Sequence, residues 1–280
     1  MFKRLTSLLL LVYLYLPLDT SSTIDFDGKA IVVSYNVTFK EDKSNPIKSK
    51  TLVKLFIFDS KSIFLDNNSL LRKNLETSNK SRDEKIEEMG KIGSIKFKDI
   101  ILKDYSRNNL TVIAENLHKQ FIAYETPIMS TEFWTIYTEQ DSTIVGLKAY
   151  KAECRYGGRH WKAWFSPEIA VSDGPYKFSG LPGLILKLSS NDDEYSFEIS
   201  ALEKSQILDT NIIIPPYKVL AKSKFDELQK VLLDDPFAQI KSNGGTIVGP
   251  ISVNGKQMTV EEFAMFLKKE KENQNNIEKN

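Results

Sequence analysis

The chain has 280 residues, with 38 Lys+Arg against 37 Asp+Glu and a formal net charge of +1. That balance offers no basic surplus to neutralise a run of phosphates, so nucleic acid is not an expected partner. One cysteine, Cys154, excludes an intrachain disulfide framework, so stability must come from a core, for which 16 Phe, 11 Tyr and 3 Trp supply bulk.

Lys3 and Arg4 precede an almost wholly apolar stretch from Leu5 to Leu18, and small residues Thr20-Ser21-Ser22 follow. A core of about 14 residues behind a basic head has the order of a secretory signal peptide, whereas a span needs roughly 20. No cysteine stands behind the apolar core to take a lipid. The expectation is a protein of the periplasm or secreted space with no stable membrane span once 1–22 is removed. An antiparallel β domain over 23–205 and a helical C-terminal extension over 206–280 are expected to follow.

Ala30 to Phe39 alternates apolar and polar residues and is rich in β-branched side chains, the pattern of a half-buried strand. Leu52–Phe58 and Ser62–Leu65 continue as strands. Asp66 to Gly90 is rich in Asn, Ser, Lys and Glu and reads as a solvated insertion, helical around Asp83–Met89. Strands are then expected at Ser94–Leu102, Asn109–Ala114, Gln120–Tyr124, Phe133–Tyr137, Ser142–Val145, Lys148–Arg155, Trp161–Phe165, Gly183–Leu188 and Tyr195–Leu202. Such regular short strands predict a mainly β (α+β) chain: an antiparallel curved sheet, half-barrel or sandwich, with two short C-terminal helices. Tyr217–Leu233 spaces Phe225, Leu228, Val231 and Leu232 along one helix face. Thr259 with Glu262 forms a capping box for a second helix to Lys269, and the polar end from Glu270 is expected to fray.

The most informative stretch runs from Trp134 to Leu188. It holds Lys151-Ala152, Gly158-Arg159, Ala163-Trp164-Phe165, Pro167-Glu168-Ile169, Gly174-Pro175-Tyr176-Lys177-Phe178 and Gly180-Leu181-Pro182-Gly183-Leu184-Ile185. In order and spacing it closely resembles the GLPGLI family of exported proteins from Bacteroidota, a largely uncharacterised family. The resemblance implies export but no reaction. Relatives often carry a Cys shortly before the Lys-Ala pair; this chain has Ala149 there, and Cys154 lies beyond the pair.

The residues of this stretch also speak for themselves. Pro182 sets one φ and the flanking glycines accept φ > 0, which suits a tight turn at Gly180, Leu181, Pro182 and Gly183. Gly174-Pro175 makes a second turn, with Tyr176 and Phe178 to one side. A rigid double corner in a β core and a glycine-opened ligand site both fit this pattern. No Lys-Ser/Thr and no helix follow the glycines, which argues against a phosphate loop. Gly157-Gly158 signals a hairpin, and Arg159 behind it suits a carboxylate, whether a ligand's or an ion-pair partner's at Glu168 or Asp173. Trp161 and Trp164 offer an aromatic surface but fall on opposite faces of a regular strand, so one of them belongs to the core.

Catalytic and metal patterns are poor: His118 and His160 have no ligand spacing, and no cofactor or metal is expected. The leading expectation is therefore an exported non-catalytic accessory or ligand-binding protein, with an apolar or peptide-like ligand or an envelope protein as partner. The competing expectations are a hydrolase-like enzyme using His160 with Glu168, Asp173 or Cys154, and a purely structural interaction module.

Overall fold

A computed structural model describes residues 29–115, 120–207, 212, 214–234, 250–253 and 256–279. The expected leader at 1–22 and His118 lie outside them. The strands are β1 (Lys29–Lys40), β2 (Lys48–Ile57), β3 (Lys61–Asp66), β4 (Ile100–Asp104), β5 (Asn109–Glu115), β6 (Phe121–Pro127), β7 (Trp134–Ile144), β8 (Leu147–Tyr156), β9 (Arg159–Ser166), β10 (Leu184–Ser190), β11 (Tyr195–Ile207) and β12 (Tyr217–Val219). They form one sheet in the order β12-β6-β5-β4-β3-β2-β1-β11-β10-β9-β8-β7. Two antiparallel meanders, β1 to β6 and β7 to β11, are joined by the long β1–β11 pairing. Among the described strands, only β12 runs parallel to its neighbour, β6.

The sheet is mainly antiparallel, curved and unclosed. Phe64 on β3 and Phe197 on β11 are three strand spacings apart, about 14 Å on a flat sheet. Their ring centroids are 6.5 Å apart, so the sheet bends inward between them. Alternation on β1 sends Val33, Tyr35, Val37 and Phe39 into the large cluster on the inner face, while Val32 joins a smaller outer cluster with Phe56, Ile63 and Ile113. This is a half-barrel, and the expected sandwich alternative is not formed.

Several expected boundaries move for identifiable reasons. The polar insertion holds two helices, α1 (Asn67–Thr77) and α2 (Arg82–Lys91). Asp66 caps the first, accepting from the Asn68 N–H at 2.8 Å, and a Ser81–Glu84 capping box starts the second. These helices stand on caps, on Arg72 donating to the Ile92 and Gly93 carbonyls, and on the apolar contacts of Leu70 and buried Leu75 in the first helix. The same buried Asp66 accepts from the N–H groups of Lys96 and Phe97, so the strand expected from Ser94 starts only at Ile100. A bulge between Tyr137 and Asp141 merges two expected strands into β7. The C-terminal helix expected from Tyr217 first spends three residues pairing with β6, and α3 begins at Lys222 (Lys222–Asp234). The strands β13 (Ile251–Val253) and β14 (Lys256–Met258) pair before α4 (Val260–Asn273), which has the expected Thr259–Glu262 box.

The segment between β9 and β10 folds onto the inner face and supplies Ile169, Tyr176, Phe178 and Leu181 to the main cluster. Phe178 is fully buried between the rings of Trp161 at 4.8 Å, Tyr156 at 5.2 Å and Trp134 at 6.2 Å. Phe178→Ala is expected to cost about 3–5 kcal/mol in urea unfolding. Ile47→Ala, at an exposed position before β2, should stay within about 0.5 kcal/mol.

Candidate functional site

The segment 167–183 is a plug with almost no freedom. Asp173 and Ser179 form an isolated bridge, and the Phe178 N–H closes a turn on the Pro175 carbonyl at 3.2 Å. Gly180 takes φ +89°, and a Cβ there would lie 2.6 Å from the Met129 carbonyl oxygen. Trp134 Nε1 donates to the Ser179 carbonyl at 2.8 Å, and Thr131 Oγ1 donates to that of Gly180 at 2.5 Å. Beyond Gly183, β10 bulges between Ile185 and Lys187, which lets Leu184, Ile185 and Leu186 all be buried in succession.

The plug is fastened from across the sheet by Lys103 on β4. Its ammonium donates to Asp173 Oδ1 at 2.6 Å and to the Gly174 and Phe178 carbonyls, each at 2.9 Å. Both side chains of the pair are essentially inaccessible to solvent. Burial lowers the Lys103 pKa, against the opposing pull of the Asp173 carboxylate. Tyr105 lies beside Asp173; burial first, and that carboxylate second, push its hydroxyl pKa far up. Tyr35 adds a second tie, donating to the Ile185 carbonyl at 2.8 Å.

A second layer lies over the rim. The hairpin tip at Gly157-Gly158, with φ +55° and +68°, stands beside the β10–β11 tip. Arg159 is buried there. It donates to Asp192, to Glu194 at 2.6 Å, to Asn275 Oδ1 at 2.8 Å, and to the carbonyls of Asn276 and Ile277 at 2.9 and 3.0 Å. Those last residues belong to the C-terminal tail, which docks instead of fraying because the rim offers it donors. Tyr195 donates to the Asn275 carbonyl, and the Lys279 N–H reaches the Gly157 carbonyl at 2.6 Å. Glu278 accepts from Tyr176 at 2.7 Å and from Lys177, whose ammonium also meets the Tyr124 hydroxyl at 2.7 Å.

The candidate residues therefore separate into two layers. Trp161, Gly174, Pro175, Tyr176, Leu181 and Gly183 are buried in or under the plug; Gly180 and Trp164 are half-buried, and Pro182 is exposed. Trp161 is the core tryptophan, as the face argument requires. Arg159 does have carboxylate partners, but they are Asp192 and Glu194. Asp173 is committed to Lys103, and Glu168 accepts from the Lys148 N–H at the far end of β9.

His160 is not assembled with Cys154 or Asp173. It stands opposite Arg155 at the β8–β9 turn, contacting Asn191, with Glu153 at 3.7 Å. Cys154 pairs with Trp161 toward the core, where burial pushes its thiol pKa up to about 12, far from a reactive thiolate. Among the described residues no group of three or more His, Cys, Asp and Glu could hold a metal ion.

Sequence reasoning missed Lys103, Lys177, Tyr195 and Glu278. A signal for Lys103 existed: it lies two residues from Ile101, so strand alternation places it on the core face. Ile277 is the one aliphatic residue in the polar run from Glu270 to Asn280, a faint mark of docking. Away from the rim, a shallow hollow of about 640 Å³ lies beside α2, lined by Glu76, Lys85, Ile86 and Met89 among others.

Residues 87–187 match the sequence model of a family described as a protein of unknown function (Porph_ging). No curated protein matches the chain. Among solved structures it is similar to PNGF-II, with a TM-score of 0.51 and 13% identity over 71% of this chain and 33% of that one. The chain thus spans about a third of PNGF-II, and the likeness is one of fold. Weaker likenesses are to the MucA/MucB complex of Pseudomonas aeruginosa (TM-score 0.31, 9% identity, 66% of this chain and 58% of that one) and to the LolA superfamily protein NE2245 from Nitrosomonas europaea (TM-score 0.26, 11% identity, 69% and 93%).

Lys103→Met strands a buried carboxylate and should cost about 3–5 kcal/mol in denaturant unfolding. Adding Asp173→Leu should restore a large part of that loss. The rim responds to acid. Burial raises the Asp192 pKa, but hydrogen bonds from Lys279, Ser190 and the Glu194 N–H, with the Arg159 charge, outweigh it and hold the carboxyl well below its ordinary value. Its folded pKa lies below its unfolded one, so its contribution is complete above the ordinary carboxylate range and is lost as pH falls toward the folded value. The Lys279 amide chemical shift is expected to report tail release in acid, with a smaller pH response in Asp192→Asn.

Proposed function

We propose that this chain is an exported, non-catalytic binding protein of the bacterial envelope, belongs to the GLPGLI family, and works through the rim of its half-barrel. One observation carries the reading: at the rim, two buried cations, Arg159 on β9 and Lys177 in the packed plug, already grip a polypeptide segment by its backbone carbonyls and a carboxylate. Arg159 and Tyr176 present polar atoms to that segment, while Trp164 and Pro182 reach the surface farther along, toward the Ser166 end of β9. Trp161, Gly174, Pro175, Gly180, Leu181 and Gly183 hold the corner in shape. Holding binding groups on a strand and a buried plug keeps them positioned before a ligand arrives, which lowers the ordering cost of association. Export rests on the basic head and apolar core at the N-terminus, and family membership on the motif run with the match at 87–187. The preferred ligand class is a peptide-like segment of an envelope protein.

The test is thermal shift of the purified protein against extended peptides and lipids, with mass spectrometry of material that co-isolates from the native host. Stabilisation by peptides is expected, unchanged in His160→Ala. No shift across the panel and no co-isolated molecule would overturn the reading. Hydrolysis of any panel member that disappears in His160→Ala would replace it with the enzyme reading.

A further inference from the structure

The strap Gln274–Lys279 lies in a groove bounded by the Gly157-Gly158 tip, Arg159, Tyr195 and the Tyr176-Lys177 pair. We infer that this groove is a binding site for an extended partner peptide carrying an aliphatic residue followed directly by a carboxylate, with the chain's own Ile277-Glu278 as resident competitor. The inference rests on the peptide-binding reading of the rim and specifies its ligand.

Much of what holds the strap is indifferent to sequence. Arg159 donates to the Asn276 and Ile277 carbonyls, Tyr195 donates to the Asn275 carbonyl, and the Gly157 carbonyl takes the Lys279 N–H. Main-chain bonds of this kind accept any extended segment, and side-chain positions then select. Three side chains select: Asn275, which is buried and bonds Arg159 and the Lys40 carbonyl, then Ile277 and Glu278. Ile277 packs against the inner-face core. Glu278 meets Lys177, which is 4% exposed and also donates to the neutral Tyr124 hydroxyl. A buried ammonium in that setting favours a carboxylate over a neutral group. The hairpin tip is bare where the segment passes: a Cβ on Gly157 would lie 2.6 Å from Glu278 Cγ, and one on Gly158 would lie 2.5 Å from the Lys279 carbonyl oxygen. A strap with one aliphatic anchor, whose Asn276 and Ile277 carbonyl bonds to Arg159 are only part-buried, opens locally more easily than the core beneath it, so exchange does not require unfolding.

A cis occupant lowers the apparent affinity for a trans ligand by the fraction of molecules with an empty groove. The probe is a fluorescent peptide with the sequence of residues 273–280, titrated into the full chain. Ile277→Ala with Glu278→Gln in the protein is expected to tighten binding of the unaltered peptide by about tenfold or more. Changing Glu to Gln in the peptide is expected to weaken binding to this variant by about tenfold, and Lys177→Gln in the protein should abolish the difference between the two peptides. The peptide-side change keeps the test decisive if Lys177→Gln does not fold. No gain from loosening the strap, or equal binding of the two peptides, overturns the inference. Concentration-dependent dimerisation of the wild type that vanishes in the strap variant would assign the groove to a second copy and overturn the partner assignment. If the strap variant ignores the peptide while another panel ligand still stabilises the protein, the groove inference falls and the binding-protein reading stands.

Discussion

An open, curved sheet has an inner face that it cannot cover by closing on itself, and the architecture of this chain follows from that constraint. The β1–β11 pairing joins two meanders into one continuous surface, and its curvature turns aromatic and aliphatic side chains toward a common centre. Water is excluded from that centre by the chain itself. The first cover is the plug between β9 and β10, which contributes rings and aliphatic groups; the second is the terminal strap, which contributes mostly polar contacts.

The plug is placed by the Lys103–Asp173 pair. Taking both charges out of water costs several kcal/mol per ion, so a pair of this kind adds little net stability over well-packed apolar residues. What it adds here is position. Three donors on one ammonium meet one carboxylate and two plug carbonyls, so the loop has one seat in which every one of those bonds is made. An all-apolar plug could shift or rotate at smaller cost, because dispersion and burial are non-directional. The glycines serve the same end: at Gly180 the backbone comes too close to Met129 for any side chain to intervene.

The two covers differ in kind. Beneath the strap lies a core whose opening would expose Phe178, Leu181 and Trp161 together. The strap exposes far less apolar surface when it lifts, so its local stability is a small part of the whole. A fold that separates a permanent apolar closure from a polar, removable one can present binding groups without risking its core. Arg159 belongs to both functions: its Asp192 and Glu194 partners hold it in place, and its remaining donors point into the groove.

The sequence by itself determined the strand pattern, because alternation and β-branched content report directly on which face of a strand is buried; on β9 it required one of two tryptophans in the core, and the structure decided that it is Trp161. It also determined the Gly-Pro corner, since backbone restrictions at proline and glycine are local. Local rules did not reach the helix at 67–77, whose support combines a cap, an arginine and only two apolar contacts, Leu70 and Leu75, nor the start of β4, delayed because Asp66 takes two backbone donors from about thirty residues away. Only the tertiary structure decided what Arg159, Asp173 and the tail do. Their partners come from 33 to 235 positions away in the chain, and which opposite charge a buried cation meets depends on which hairpin tips the curved sheet brings together.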